Sequence, residues 1–367
     1  MAELRIGVVG CGTIVDIYLK NLVGKLRGVR VVALADLLPE RARAKAREYG
    51  IGKAVTTEEL LADPEVDLVL NLTVPLAHSD LSLRALEAGK HVYSEKPLAI
   101  EVEDGVRLVE AAESRGLYLG CAPDTFLGAG IQACLSFLDS GAIGEPIGAS
   151  AFMVGHGPEA WHKDPAFFYK RGGGPVLDVG PYYFTALTAF LGPAVGISGS
   201  ARSSFPERVV GSGPKKGERI AVEVPTHVTG CLEFASGAIA TYIMSFDVWH
   251  SSLPRIELYG SEGSMIVPDP NFYRGPVLLR RAEEEEWREV PVAGDFIEDS
   301  RGLGIAELAS ALAEGRPCRA SGRLALQTLE IMRGAEESGR LGRRVELARG
   351  CSRPSALGDA EASRLRK

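Results

Sequence analysis

The sequence predicts an α/β protein of two domains: a doubly wound parallel sheet, followed by an α+β domain with a large, open, mostly antiparallel sheet. Three observations support this class. The chain has 367 residues, too many for one ordinary core. Strand-like and helix-like segments alternate over residues 1–122. From residue 123 most segments are strand-like and joined by short turns. We therefore expect domains at 1–122 and 123–346 and a polar, fraying tail at 347–367.

The composition excludes several classes of protein. There are 41 Lys and Arg against 48 Asp and Glu, a net charge of −7, which argues against a nucleic-acid partner. The six cysteines form no CxxC pair, as is typical of buried thiols in a reducing compartment. No signal peptide or membrane-spanning run is evident. We expect a cytoplasmic protein without a membrane partner.

The first elements predict a dinucleotide site. The run LRIGVVGCG (4–12) is a buried strand ending in a tight turn, and an amphipathic helix follows it. Gly10 permits the turn, and the missing side chain of Gly12 lets a pyrophosphate approach the helix start at Thr13 and Ile14. Val15 stands where a third glycine is usual, which affects helix packing more than phosphate contact.

The second strand, VRVVALAD (29–36), ends on Asp36. A carboxylate there can accept hydrogen bonds from the adenosine ribose hydroxyls and repels a 2′-phosphate, so NAD is favoured. Arg41 and Arg43 lie nearby and keep NADP open as an alternative. Asp36 could instead only cap the helix that follows it.

The alternation continues through strands at 66–74, 90–97 and 117–122 and helices at 78–89 and 102–116. Ligands of such sheets bind past the carboxyl ends of the strands. The predicted cofactor-binding residues share this position: Gly10, Gly12, Thr13, Ile14, Asp36, Thr73, Pro75, His78, Glu95 and Lys96. Alternatively, His78 caps its helix and Lys96 is a surface lysine.

The second domain begins with a helix at 125–144. Ser236-Gly237 and Ser261-Glu262-Gly263 separate strand-like runs and predict hairpin turns. The acidic run at 283–286 predicts a solvated hairpin tip. Helices are expected at 302–315 and 323–339.

The segment RGGGPVLDVGPYYF (171–184) carries an acid and a phenol after three glycines. Glycines at the density of Gly172 to Gly174 let the backbone approach another group closely or let the chain turn sharply. Asp178 and Tyr182 are one helical turn apart and would share a face. Asp178 could instead cap the helix, and Tyr182 could be core packing.

The chain resembles the glucose–fructose oxidoreductase/inositol dehydrogenase/MocA family over roughly residues 3–345. The resemblance rests on motifs in the family's order and spacing: GVVGCGTI, VVALAD, TVPLAH, EKPLA, GGGPVLDVGPYY, LEFASGAIAT and IELYGSEGSM. It implies a Rossmann domain joined to an open-sheet domain, a nicotinamide cofactor, and a sugar, polyol or cyclitol substrate. It also implies a homodimer or homotetramer.

The resemblance further implies catalytic roles for Lys96, Asp178 and Tyr182. Lys96 would lie between nicotinamide and substrate, its bond to the following proline could be cis, and Asp178 and Tyr182 would flank the reacting carbon. Gly172 to Gly174 would let the backbone pass close to the cofactor and substrate. Many members have histidine where this chain has Tyr182. Many have an acid where it has Thr185, which puts that substrate contact in doubt.

The chemistry supports these roles independently. A free tyrosine, with a pKa of about 10, is a poor base at neutral pH, but a nearby ammonium lowers its pKa. We expect Tyr182 to act as acid/base, Lys96 as its electrostatic partner and substrate clamp, and Asp178 as a hydroxyl-binding, orienting group. We therefore expect the chain to be an NAD(P)-dependent dehydrogenase or reductase acting on a sugar-like substrate. The alternatives are an NAD-dependent glycosidase-like hydrolase and a non-catalytic NAD-binding regulator.

The segment 155–175, rich in His, Trp and Phe, predicts either a loop that covers a sugar or a subunit contact. As a cover, Trp161 would stack on the sugar, and His162 or Lys163 would bind its hydroxyls. His156, His162 and Asp164 fit no standard ligand spacing, so we expect no metal.

Overall fold

The structure, a computed structural model, describes residues 3–367. The strands, in chain order, are β1 (Leu4–Val9), β2 (Val29–Ala35), β3 (Lys53–Val55), β4 (Leu68–Asn71), β5 (His91–Ser94), β6 (Leu119–Cys121), β7 (Pro146–Val154), β8 (Ala194–Arg202), β9 (Glu207–Val209), β10 (Arg219–Ala221), β11 (His227–Phe234), β12 (Ile239–Ser245), β13 (Ile256–Gly260), β14 (Gly263–Val267), β15 (Val277–Arg281), β16 (Arg288–Val290) and β17 (Val345–Glu346).

The α-helices, in chain order, are α1 (Val15–Gly24), α2 (Pro39–Tyr49), α3 (Thr57–Ala62), α4 (His78–Glu87), α5 (Val102–Ser114), α6 (Ala129–Asp139), α7 (Pro175–Asp178), α8 (Gly180–Leu191), α9 (Leu303–Glu314), α10 (Gly322–Leu341) and α11 (Asp359–Arg364). Short 3₁₀ turns lie at Pro75–Ala77, Thr125–Leu127, Pro158–Ala160 and Ala166–Tyr169. Across residues 3–367, no helix combines the length and the apolar character needed to cross a membrane.

The chain folds into two compact units. The first contains the described residues up to Gln132 together with Ala293–Leu326 and Pro354–Lys367. The second contains Ala133–Val292 and Gln327–Arg353. The sequence-based limits at 122 and 346 stay a prediction, but α9 and the last fourteen residues, which the sequence assigned elsewhere, belong to the first unit.

The first unit contains a six-stranded parallel sheet in the order β3-β2-β1-β4-β5-β6. The predicted doubly wound sheet is therefore confirmed. Its strands are apolar and buried because helices cover both faces of such a sheet. The sequence analysis missed β3 and α3; a capping box at Thr56 and Glu59 starts α3.

Helix α9 is anchored in the first unit by a buried carboxylate. Asp124 Oδ2 accepts hydrogen bonds of 2.9 Å from the backbone N–H groups of Gly302 and Gly304. A negative charge at a helix N-terminus is favourable because the helix dipole is positive there. Glycine is needed at position 304, since a Cβ would lie 2.2 Å from the Tyr93 hydroxyl oxygen.

The tail at 347–367 does not fray as the sequence analysis expected. The Arg27 N–H donates to the Leu365 carbonyl at 2.8 Å, and the Lys367 ammonium donates to the carbonyl of Val23 at 2.7 Å. The physical reason is that the tail contains apolar side chains that it buries: Leu357 and Leu365 are both buried.

The second unit contains a nine-stranded sheet in the order β16-β15-β14-β13-β7-β12-β11-β8-β17. Within the described chain, β7 and β12 are its one parallel pair, so the expected mostly antiparallel sheet is confirmed. The predicted hairpins β11–β12 and β13–β14 are both present. Strands β9 and β10 form a separate hairpin.

Helix α8 and the second part of α10 cover one face of this sheet. The rings of Phe184 on α8 and Tyr242 on β12 make an edge contact, with centroids 5.6 Å apart. A Cβ on Gly339 of α10 would lie 2.6 Å from the Cβ of Ala201, so a glycine there permits close packing on β8. On the opposite face, Cys231, Ile239 and Thr241 are exposed.

Candidate active site

The turn after β1 needs glycine at position 10. Gly10 has φ +104°, and a Cβ there would lie 2.5 Å from the Leu72 carbonyl oxygen. Its N–H donates to the Ala35 carbonyl at 2.9 Å. Gly10 therefore lets the β1 turn pass directly against the chain that leaves β4.

Gly12 has a different role. A Cβ at this position would have no atom within 4 Å, so its missing side chain leaves open space instead of relieving a contact. Gly12 and Thr13 are exposed, and α1 begins beside them with Ile14 at the N-cap and no side-chain cap. Uncapped N–H groups at a helix start can bind a phosphate.

Asp36 lies just past β2 and is tied to the glycine turn. Its Oδ2 accepts from the Cys11 N–H at 2.6 Å, and its Oδ1 accepts from the Leu38 N–H at 2.8 Å. The N-cap of α2 is Leu38, so Asp36 is not the capping residue. The thiol of Cys11 has its pKa raised to about 11 by burial and by Asp36.

The loop after β4 carries Thr73 and Pro75, both half-buried. Asn71, fully buried at the end of β4, shapes this loop. Its Oδ1 accepts from the Thr73 N–H at 3.2 Å and from the Thr73 hydroxyl at 2.6 Å. The sequence analysis missed Asn71; a polar residue closing the apolar run VLNL was the available signal.

His78 is 1% exposed and joins two loops. Its Nδ1 lies 2.7 Å from the Pro97 carbonyl oxygen and its Nε2 lies 3.0 Å from the Thr73 carbonyl oxygen. Burial lowers the pKa of His78, which favours the neutral ring. A neutral imidazole donates through one nitrogen, so one carbonyl at a time is satisfied. Ala77, not His78, occupies the N-cap of α4.

The loop after β5 is held by Glu95. Its Oε1 accepts from the Tyr18 hydroxyl at 2.8 Å, and its Oε2 accepts from the Lys96 N–H at 2.9 Å. Burial and Glu95 raise the pKa of Tyr18, so this phenol stays protonated and keeps donating. Lys96 is half-buried, and the Lys96–Pro97 bond is cis, as the resemblance implied.

In the second unit, Gly173 and Gly174 lie against neighbouring backbone. A Cβ on Gly173 would lie 2.4 Å from the Phe167 carbonyl oxygen, and the Gly174 N–H donates to the Phe168 carbonyl at 2.7 Å. The backbone nearest to Gly173 is thus the preceding turn, and the expected close approach of these glycines to a ligand stays a prediction.

Asp178 ends α7 and Tyr182 lies in the first turn of α8, with Val179 between the two helices. Val179 packs into an apolar cluster with Phe168, Tyr169, Val210, Ile220 and Phe246. Asp178 is not the N-cap of α8, because Val179 takes that position. Tyr182 is half-buried, whereas Tyr183 is 1% exposed and belongs to the core.

The segment 155–175 contains two 3₁₀ turns. Trp161 is 68% exposed. The His162 ring contacts the rings of Trp161, Phe167 and Phe168 at its edge, and its Nδ1 accepts from the Asp164 N–H at 3.1 Å. No group of three metal-ligating side chains occurs within residues 3–367.

A buried ionic cluster under this segment was missed by the sequence analysis. Arg208 donates to Glu159 at 2.9 Å and to Asp247, and the Tyr169 hydroxyl donates to Glu159. The side chains of Arg208 and Asp247 are each 4% exposed. Arg208 lies 49 residues from Glu159 and 39 residues from Asp247 in the chain, so no local sequence pattern indicates this cluster.

Comparison with known proteins identifies the family. A family described as "Oxidoreductase family, NAD-binding Rossmann fold" matches residues 4–122, and the GFO/IDH/MocA C-terminal domain matches residues 131–266. The 1,5-anhydro-D-fructose reductase of Ensifer adhaerens is 34% identical over 293 residues, covering 77% of this chain and 81% of the relative. The chain belongs to the GFO/IDH/MocA oxidoreductase family.

Other relatives agree with this assignment. The scyllo-inositol 2-dehydrogenase (NAD(+)) of Bacillus subtilis (strain 168) is 28% identical, covering 72% of this chain and 74% of the relative. Among solved structures, levoglucosan dehydrogenase in complex with NADH and L-sorbose has a TM-score of 0.81 at 20% identity, covering 95% of this chain and 99% of that one. This last likeness concerns the fold.

The residues of the first unit fit an NAD cofactor. Gly12 leaves space beside an uncapped helix start, which suits a pyrophosphate. Asp36 supplies a carboxylate for ribose hydroxyls at the next strand. The neighbouring Arg41 is exposed and close enough to affect the pKa of Cys11. As a member of the GFO/IDH/MocA family, this chain binds NAD.

Proposed function

We propose that this chain catalyses NAD-dependent interconversion of a hydroxyl and a carbonyl group on a sugar, polyol or cyclitol. The observation that carries the proposal is the contrast at the start of α8. Tyr182 is half-buried next to the fully packed Tyr183 and Phe184, and a carboxylate, Asp178, precedes it by four residues. A phenol and an acid kept out of the core are suited to contact a hydroxylated substrate.

The similarity to two enzymes supports the substrate class. One relative is a reductase of 1,5-anhydro-D-fructose and another is a dehydrogenase of scyllo-inositol. Both substrates are six-membered rings bearing several hydroxyls, with one carbon that is oxidised or reduced. We infer the same class of substrate here.

The proposed roles follow from the chemistry of each group. When bound, the nicotinamide supplies the two-electron acceptor or donor. Tyr182 takes up or delivers the proton on the reacting oxygen, Asp178 accepts hydrogen bonds from substrate hydroxyls, and Lys96 donates to substrate oxygen. NAD is preferred to NADP because Asp36 repels a 2′-phosphate.

Trp161 and His162 are proposed substrate contacts. The large exposed face of Trp161 is suited to stack on the apolar face of a sugar ring. If this segment is instead a subunit contact, replacing Trp161 with alanine changes the oligomeric state and leaves the KM for sugar unchanged. Light scattering and steady-state kinetics on one variant therefore separate the two roles.

We also propose that the chain forms a homodimer or homotetramer in the cytoplasm. The uncovered face of the nine-stranded sheet, with Cys231, Ile239 and Thr241 exposed, supports self-association. A charge introduced there by Ile239→Asp should dissociate the oligomer in light scattering. A wild-type monomer would refute the oligomer.

The function is tested by a nicotinamide absorbance screen with NAD and, separately, NADP against aldoses, polyols, inositols and keto-sugars. We expect Tyr182→Phe to lower kcat roughly 10²–10⁴-fold, as is typical for loss of a general acid/base. Tyr183→Phe is the matched control and should keep turnover. Lys96→Met tests the role of Lys96 as a donor to substrate oxygen, with Lys20→Met at an exposed lysine as its control. Asp178→Asn tests the role of Asp178 as an acceptor from substrate hydroxyls.

Other outcomes would refute the proposal. Full turnover by Tyr182→Phe would remove the acid/base role. Tight NAD binding with release of an aglycone and no net consumption of NAD would indicate a hydrolase. Tight binding without any turnover would indicate a regulator, and absence of dinucleotide binding would refute the whole assignment.

A further inference from the structure

Asn71 uses its whole hydrogen-bonding capacity inside the first unit. Its Oδ1 accepts two bonds from Thr73, and its Nδ2 donates to the His78 carbonyl and to Ser82 Oγ, both at 3.0 Å. Its own carbonyl accepts from the Glu95 N–H at 2.9 Å. One fully buried side chain therefore connects the loop after β4 with α4, and its backbone reaches the loop after β5.

The partners fix the orientation of the amide. The Thr73 N–H can only donate, so the amide atom facing it is the oxygen. The His78 carbonyl can only accept, so the atom facing it is the nitrogen. The Thr73 hydroxyl must therefore donate its one proton to Asn71 Oδ1. Toward anything else, Thr73 Oγ1 offers only lone pairs.

The order of the strands shows which part of a dinucleotide would meet this oxygen. Asp36 lies past β2, Gly10 past β1 and Thr73 past β4, and these strands are adjacent in that order. Neighbouring strands lie about 4.8 Å apart. With the adenosine ribose at Asp36 and the pyrophosphate at β1, the next part of the ligand along the sheet is the nicotinamide riboside.

We propose that Asn71 is a positioning residue that holds the Thr73 hydroxyl as a pure acceptor for an N–H or O–H donor of the nicotinamide riboside half. Thr73 makes the contact and Asn71 acts through it. This role rests on the proposed NAD-dependent function and adds to it a residue that supports binding of the nicotinamide riboside half and not of the ADP-ribose half.

The test compares dissociation constants for NADH and for ADP-ribose, measured on the full chain by fluorescence and calorimetry. Loss of one hydrogen bond of about 1 kcal/mol corresponds to about fivefold. We expect Thr73→Val and Asn71→Ala each to weaken NADH binding about fivefold to tenfold, while the affinity for ADP-ribose changes less than twofold. Thr73→Ser, which keeps the hydroxyl, should bind NADH like the wild type.

Ser82→Ala is the matched control. It removes a hydrogen-bond partner of the same amide on the α4 side, so it should lower the melting temperature without changing the affinity for NADH. Because Asn71 acts through Thr73, the double variant Asn71→Ala/Thr73→Val should bind NADH no more weakly than the weaker single variant.

Three results would overturn this role while leaving the proposed function intact: unchanged NADH affinity in Thr73→Val, equal weakening of NADH and ADP-ribose, or fully additive effects in the double variant. If Asn71→Ala does not fold, the Thr73 variants keep the role testable, because equal NADH affinity in Thr73→Val and Thr73→Ser would overturn it. Failure of the wild-type chain to bind NADH would overturn the function and this role together.

Discussion

Two glycines two residues apart should respond to the same substitution in opposite ways. A methyl group at Gly10 would lie 2.5 Å from the Leu72 carbonyl oxygen and 3.0 Å from the Thr73 nitrogen, at a φ of +104°. A methyl group at Gly12 would have no atom within 4 Å and no left-handed backbone to adopt. Gly10→Ala is therefore expected to act on folding, and Gly12→Ala on ligand binding.

The magnitudes follow from the geometry. At position 10, a left-handed alanine costs about 1–2 kcal/mol and the overlap with backbone adds about 1–3 kcal/mol. The free energy of unfolding should fall by roughly 2–5 kcal/mol, which lowers the melting temperature by roughly 4–20 °C. At position 12 the free energy of unfolding should change by less than about 0.5 kcal/mol. Losing one charge-assisted phosphate contact there should weaken dinucleotide binding roughly tenfold to a hundredfold.

Differential scanning calorimetry of the ligand-free variants measures the first effect, and titration with NADH measures the second. The wild type serves as reference for both. If Gly10→Ala melts within about 2 °C of the wild type, the backbone argument is wrong. If Gly12→Ala melts as early as Gly10→Ala, the space beside Gly12 is not open. If Gly12→Ala binds NADH normally, that space does not receive the pyrophosphate.

Further predictions concern charge and pH. Asp36→Asn should raise the kcat/KM with NADP, relative to the kcat/KM with NAD, more than tenfold, because a like-charge contact costs several kcal/mol. Adding Arg41→Ala should reverse much of this gain. Arg319→Met should destabilise the chain by about 3 kcal/mol in urea unfolding, since it removes one of the two arginines that pair with the fully buried Glu307 and leaves that charge with Arg316. Arg323 pairs with Glu113 on the surface, so Arg323→Met should cost less than about 1 kcal/mol. Burial lowers the pKa of His91, so the unfolded chain binds a proton more readily and stability should fall as pH drops below about 6.5. His91→Asn, which can still accept from the Tyr118 N–H, should lose less stability between about pH 7.5 and pH 5.5; an identical loss would refute the assignment.

The parallel sheet could be predicted because its signals are local. Except for β3, the strands contain short apolar runs, and Gly10 and Asp36 stand where the chain must turn. The hairpins of the second unit were also predictable, since Ser236-Gly237 and Ser261-Glu262-Gly263 are short-range turn signals. The roles of single residues within one turn, such as the exposure of Tyr182 beside buried Tyr183, were left as alternatives because both are aromatic.

What could not be predicted depends on residues far apart in the chain. Arg208 meets Glu159 and Asp247 only after the second unit has folded, so composition gave no indication of that cluster. The tail looked polar, but Leu365 is buried and its carbonyl pairs with Arg27, more than 330 residues earlier. Asn71 appeared as part of a strand, and only the positions of Thr73, His78 and Ser82 show what its amide does.

The first unit is made of three separate stretches of chain, with the second unit inserted between them. A ribosome therefore releases the nucleotide-binding sheet early but cannot complete its surroundings until the last residues emerge. A fragment ending at residue 132 would lack α9, leaving the Asp124 carboxylate without the Gly302 and Gly304 N–H groups. Chimeras that exchange the second unit should accordingly graft the inserted stretches and keep all three outer ones from a single parent.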